Sequence, residues 1–174
     1  GQVSLTGTVR ESSGGTYRIR LESGEEVEAT LRGRLKRASR AGDRVVIGDR
    51  VEITVADDGS ATVESVLPRS TIIARRVLGG RRPKVVAANL DRLLVVMAAR
   101  SPSPSLSTID RFLVTAEAGG LEGVVVINKL DLPGAEEPAS TLAWMYEAVG
   151  YPVHQVSAVS GRGMEELRAV LCSG

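Results

Sequence analysis

Through the first 66 residues apolar and polar positions alternate in short runs broken by turns, the period-two pattern of strands with one buried face. Strands are predicted near Val3 to Glu11, Tyr17 to Leu21, Glu25 to Leu31, Arg50 to Val55 and Ala61 to Val66. The turns Ser13-Gly14-Gly15, Ser23-Gly24, Ala41-Gly42-Asp43 and Asp57-Asp58-Gly59 each supply glycine where positive φ can be needed. From Asn89 the pattern changes to apolar runs alternating with helical periodicity, which predicts a parallel sheet covered by helices. Leu93 to Ala98, Val124 to Ile127 and Val153 to Val156 read as its strands. Ile109, Phe112, Leu113 and Ala116 share one helical face, and Leu142, Met145, Tyr146 and Val149 share another. Gly119 and Gly150 are expected as the left-handed residues closing these helices. A last helix, Met164 to Leu171, is expected to turn Leu167, Val170 and Leu171 inward.

The fold class is therefore β plus α/β. Five antiparallel strands in so short a segment predict an oligonucleotide-binding type of barrel, with an SH3-like barrel as the structural alternative. The expected divisions are 1–68 for the barrel, 69–87 for a basic linker with Arg75, Arg76, Arg81 and Arg82, and 88–174 for the α/β part.

Composition narrows the function classes. The 174 residues are 43% hydrophobic and 25% charged, and no apolar run approaches the roughly 18 residues that span a bilayer. The start, Gly-Gln-Val-Ser-Leu-Thr-Gly, lacks the basic and apolar regions of a secretory signal, so a cytoplasmic address and no membrane partner are expected. One cysteine and one histidine make a metal site unexpected, and Cys172 is read as a packing residue. The net charge of +1 hides an asymmetry: residues 1–87 hold 16 Lys/Arg against 11 Asp/Glu, residues 88–174 hold 6 against 10. A polyanion would meet the first half.

Ligands of open parallel sheets lie beyond the carboxyl ends of strands, which directs attention to the polar residues there. Asn128, Lys129 and Asp131 follow one predicted strand, and Ser157 and Ala158 follow the next. An ionised aspartate only accepts hydrogen bonds, and its two oxygens can take the paired ring N–H and amine of guanine, an edge that adenine lacks.

This spacing resembles the N-K-x-D and S-A motifs of regulatory GTPases. The resemblance implies that Asn128 fixes the base, Lys129 lays its stem over the ring, and the Ala158 N–H meets the guanine oxygen. The usual phosphate-cradling sequence G-x-x-x-x-G-K-[ST] is absent from the 174 residues. Nearly the whole chain resembles the first part of ribosome small-subunit-dependent GTPase A, a circularly permuted GTPase family in which base-reading motifs precede the phosphate loop. The matching stretches are Gly48-Asp49-Arg50-Val51, Val66-Leu67-Pro68-Arg69, Ala87-Ala88-Asn89-Leu90-Asp91, Ile109-Asp110-Arg111-Phe112-Leu113 and Asn128-Lys129-Leu130-Asp131-Leu132. Lys84 departs from the family pattern.

The resemblance implies GTP or GDP as ligand, ribosome-stimulated GTP hydrolysis, and a role in small-subunit (30S) maturation. Partners would be that subunit and its rRNA, with the protein otherwise a monomer. Arg32, Arg34, Lys36, Arg37, Arg40 and Arg44, in a loop between two barrel strands, are the expected RNA contacts. Magnesium and zinc are expected only from a missing C-terminal part. No catalytic residue is assigned here, and this segment alone is expected to be inactive. The alternatives are an RNA-binding module with a dead nucleotide fold, and an enzyme using another purine nucleotide.

Overall fold

Alternation in the first part translates directly into a closed barrel. In a computed structural model that describes residues 2–173, the chain divides into two compact units, one ending at Leu90 and one starting at Asp91. The first comprises β1 (Val3–Ser13), β2 (Thr16–Leu21), β3 (Glu26–Leu31), α1 (Gly33–Arg40), β4 (Arg50–Val55), β5 (Ala61–Val66), β6 (Ile72–Arg75) and β7 (Lys84–Ala88). The barrel order is β1-β2-β3-β5-β4, closed by β4 against β1, with β3 and β5 parallel and the other pairs antiparallel. In β2, Tyr17, Ile19 and Leu21 point inward while Arg18 and Arg20 face solvent. Val9, Ile19, Val51, Ile53 and Val63 form its fully buried centre.

Two expectations for this unit are corrected. The basic segment after β3 is a helix, α1, rather than a loop. From Arg34 to Arg40 the chain holds no glycine or proline, and Leu35 packs against the barrel, so one face of a helix has something to bury. The segment 69–87 is not simply a linker: β6 and β7 form an antiparallel hairpin that belongs to the first unit. Its anchor is polar. Asp49, fully buried, accepts from Val46 N (2.8 Å) and from the Arg69 guanidinium (2.8 and 2.9 Å), which also donates to the Arg44 carbonyl (2.8 Å). Asn89 Nδ2 donates to the Gly48 carbonyl (2.9 Å), and Ala88 N donates to Ile47 O (3.0 Å). Gly48 has φ +90°, and a Cβ there would lie 1.8 Å from the Ala88 carbonyl oxygen, so this approach requires glycine.

The second unit comprises β8 (Arg92–Ala98), α2 (Leu106–Ala118), β9 (Glu122–Asn128), α3 (Glu136–Ala148), β10 (Val153–Gln155) and α4 (Met164–Cys172). Its sheet is parallel, ordered β10-β9-β8. The central strand β9 is buried on both faces: Val125 and Ile127 pack in the cluster with α2 and α3, and Val124 and Val126 in the cluster with Leu167 of α4. The helical stripes are narrower than the spacing predicted. Phe112, Val149 and Leu171 are exposed, and Met145 is at the exposed margin, while Ala116, Ala139 and Ala143 are buried. Alanine permits short helix-to-sheet distances that a count of large apolar residues does not reveal. Cys172 is exposed rather than packed. Gly120 (φ +80°), not Gly119 (φ −87°), takes the left-handed position after α2, while Gly150 (φ +95°) does so after α3.

Candidate functional site

All three strands of the second unit run in one direction, so their carboxyl ends share an edge. Two loops there carry the candidate residues, one leaving β9 at Asn128 and one leaving β10. Lys129 has φ +65° and turns the first loop sharply out of the strand. Leu130 is buried, and its N–H donates to the Val156 carbonyl (3.3 Å), anchoring that loop to the one after β10.

Ser157 is fully buried and fourfold bonded. Its Oγ donates to Asp131 Oδ1 (2.6 Å) and accepts from Ser160 N (3.1 Å), its N–H donates to Arg162 O (2.9 Å), and its carbonyl accepts from Gly161 N (2.8 Å). Asp131 itself is exposed, and its Oδ2 has no bonded partner among the described residues. A third cross-loop bond runs from Ala158 N to Asn128 Oδ1 (3.0 Å). Arg162 adds a fourth, donating to Glu136 Oε1 (2.9 Å). The loops are thus stitched together, and an oriented carboxylate faces out where paired N–H donors could dock.

All five residues singled out after the strands, Asn128, Lys129, Asp131, Ser157 and Ala158, are brought into this one place. One detail differs from the expected geometry. The Ala158 N–H, expected to face a base oxygen, is engaged by Asn128, because a backbone donor takes the nearest acceptor. The Lys129 Nζ donates to the Ser101 carbonyl (2.6 Å) in the loop after β8. Arg100 of that loop donates to the Pro133 carbonyl (2.7 Å). Neither Arg100 nor Ser101 was singled out from the sequence, although the carboxyl end of β8 was the available signal.

The basic residues of the first unit separate into two groups. Arg32, Arg34 and Arg37 line an open groove of about 550 Å³ together with Gly33 and Glu64. Arg32 pairs with the Glu64 carboxylate, and Arg34 donates to the Glu64 carbonyl (2.6 Å). The Arg32 hydrogen bond, then that of Thr54, holds the Glu64 carboxyl below its ordinary value. Lys36, Arg40 and Arg44 do not line the groove, and with Arg37 their side chains have no bonded partner among the described residues. The β6–β7 hairpin adds Arg75, Arg76, Arg81, Arg82 and Lys84, also without side-chain partners among the described residues. No Asp or Glu lies between Glu64 and Asp91 to offset them.

Among the described residues no cluster of three or more His, Cys, Asp or Glu side chains could hold a metal ion. No helix among them is long and apolar enough to cross a membrane.

Comparison with known proteins places these features in a context. The chain is 43% identical over 168 residues to the small ribosomal subunit biogenesis GTPase RsgA of Gemmatimonas aurantiaca, covering 95% of this chain and 54% of that protein. It is 34% identical over 173 residues to the protein of the same name from Porphyromonas gingivalis strain W83, covering 96% and 55%. It spans about half the length of the curated relatives it matches. Among solved structures it is similar to YjeQ from Thermotoga maritima, with a TM-score of 0.74 and 32% identity over 97% of this chain and 57% of that one. It shares the fold of YloQ, a circularly permuted GTPase, with a TM-score of 0.66 and 24% identity over 97% of this chain and 56% of that one. A closed five-stranded barrel followed by a parallel sheet with flanking helices is the architecture expected from the sequence, and a family model matches residues 66–174: this chain belongs to the RsgA GTPase family.

Proposed function

We propose that the protein containing these residues binds guanine nucleotide at the loops after β9 and β10, hydrolyses GTP when engaged with the small ribosomal subunit, and acts in that subunit's maturation. The observation that carries the reading is the Asp131 carboxylate, oriented by buried Ser157 at the carboxyl edge of a parallel sheet, in a chain of this family. The relatives' name, small ribosomal subunit biogenesis GTPase, supports the activity and the ribosomal partner. A cytoplasmic address and a monomeric state are part of the proposal.

In this reading the residues described here select and orient the nucleotide. Asp131 takes the ring N–H and amine of guanine, Asn128 fixes the base through its free Nδ2, and the Lys129 stem covers the ring. The Ala158 N–H reaches the guanine oxygen only by sharing or releasing its bond to Asn128. A base without the two donors leaves the Asp131 oxygens unpaired beneath the bound ring, a penalty of about 1 to 3 kcal/mol each. In-line attack of water on the γ-phosphate requires phosphate-binding groups that are not among these residues. In this reading magnesium and zinc are held by that other part of the protein. The segment alone then binds nucleotide weakly and does not turn it over.

The first unit supplies the contact with rRNA. Arg32, Arg34, Lys36, Arg37, Arg40 and Arg44 are its proposed cations, joined by those of the β6–β7 hairpin. Tyr17 is the barrel's tyrosine and it is buried, so recognition rests on phosphate and helix shape rather than stacking on splayed bases.

The test is Asp131→Asn in the complete protein. Preference should move from guanosine to xanthosine nucleotides in competitive binding; an unchanged preference argues for a different purine ligand. Hydrolysis above background by the purified 174-residue segment would overturn its assignment as a base-reading half.

A further inference from the structure

The loop leaving β8 grips the base-reading loop at both ends. Ala99 N donates to the Asn128 carbonyl (2.9 Å), so the two loops start from one point. Lys129 Nζ then donates to the Ser101 carbonyl (2.6 Å), and Arg100 Nη1 donates to the Pro133 carbonyl (2.7 Å). Asp131 lies midway between the two gripped residues, Lys129 and Pro133.

Backbone geometry at this junction is unusual. Ser101 (φ +55°) and Lys129 (φ +65°) are both non-glycine residues in the left-handed region, and they face each other through the Lys129 ammonium. Such conformations persist where surrounding bonds over-determine them, and they concentrate at functional sites. At the other end, Gly134 has φ +73°, and a Cβ there would stand 2.6 Å from Arg100 Nη1. The guanidinium thus lies directly against the turn Leu132-Pro133-Gly134.

We infer that Arg100 is a positioning residue for base selection: by holding the Pro133 carbonyl it fixes the Lys129–Gly134 loop so that the Asp131 carboxylate presents both oxygens to a guanine edge. This rests on the guanine-reading proposal. In this proposal Arg100 acts through the Pro133 carbonyl and not on the base. Its side chain is exposed, so its removal leaves the hydrophobic core of the unit intact. What it controls is the aim of a carboxylate, and small misplacements weaken paired hydrogen bonds steeply.

The experiment compares GDP with IDP, which lacks the exocyclic amine, by equilibrium binding to the complete protein. Arg100→Ala should weaken GDP about 3- to 10-fold and IDP less, lowering the GDP-to-IDP affinity ratio at an unchanged melting temperature. Arg100→Lys, which keeps a cationic donor, should recover much of the ratio. No loss in Arg100→Ala, an equal loss for both nucleotides, or a fall in Arg100→Lys as deep as in Arg100→Ala overturns the inference. Asp131→Asn separates the two claims. If it abolishes the ratio while Arg100→Ala does not change it, only the positioning role fails. If it leaves the ratio intact, the guanine reading itself fails, and this inference with it.

Discussion

Arg69 and Asp49 form a fork pairing in which Nε meets Oδ1 at 2.8 Å and Nη2 meets Oδ2 at 2.9 Å, with the carboxylate wholly buried and the guanidinium about a quarter exposed. The Asp49 hydrogen bond holds the Arg69 guanidinium above its already high ordinary value, so the cation persists at any usable pH. Removing the arginine leaves a buried carboxylate with only the Val46 N–H as partner. Arg69→Ala should therefore cost about 3 to 5 kcal/mol, read as a lowered urea midpoint, while Arg69→Lys should cost less. Equal stability of wild type and Arg69→Ala would mean that water replaces the guanidinium freely.

The Arg32 and Glu64 pair predicts a pH dependence of the opposite kind, at the surface. Glu64 titrates below its ordinary 4.5 in the folded chain, first because Arg32 donates to it and then because Thr54 does. Such a group stabilises the fold fully above about 4.5, and the contribution is lost as pH falls through the lowered folded value. Glu64→Gln should flatten the acid limb of thermal stability in that window. It should also free Arg32 for anions, tightening binding to duplex RNA by about twofold at neutral pH. Weaker RNA binding in this variant would mean that the carboxylate aligns Arg32 rather than competing for it.

Period-two alternation made the five barrel strands legible because each has one face wet and one dry, as Arg18 and Arg20 against Tyr17, Ile19 and Leu21 display. Residues after buried strands were legible for a related reason: a polar Asn-Lys-x-Asp run after Val124 to Ile127 has no packing role to play. The α1 helix was hidden because its contact with the barrel rests on Leu35, too little apolar surface to show a period. The hairpin was hidden because its anchors are polar and distant, Asn89 to Gly48 and Arg69 to Asp49. Arg100 and Ser101 act through a guanidinium on a carbonyl and through a carbonyl itself. A backbone acceptor carries no mark in the sequence.

Ser157 is where site and stability meet. Its Oγ both donates to Asp131 and accepts from Ser160 N, so Ser157→Ala takes the partner from a backbone donor as well as loosening the carboxylate. The expected cost is about 1 to 2 kcal/mol in unfolding free energy, with a fall in guanine affinity of similar size in the complete protein. Ser157→Thr keeps the hydroxyl but adds a methyl at a fully buried position, so it should hold selectivity better than stability. Reversal of that order, with Thr stable but unselective, would place the Asp131 contact outside the selection step.

Five cations on the β6–β7 hairpin, with no acidic residue nearby in sequence, make the salt dependence of RNA binding the sharpest test of the first unit's role. Each phosphate neutralised on a duplex contributes about 0.9 to the slope of log affinity against log salt. Replacing Arg75, Arg76, Arg81, Arg82 and Lys84 with glutamine should make the slope for duplex RNA shallower by about 2 to 4, because some of the five will meet solvent rather than phosphate. The fold should be unaffected, since none of these side chains has a bonded partner among the described residues and the anchors Arg69 and Asn89 are retained. Replacing Lys36, Arg37 and Arg40 alone should change the slope by a smaller amount and add to the first effect. If only the helix variant changes the slope, the hairpin is a structural brace and α1 carries the RNA contact.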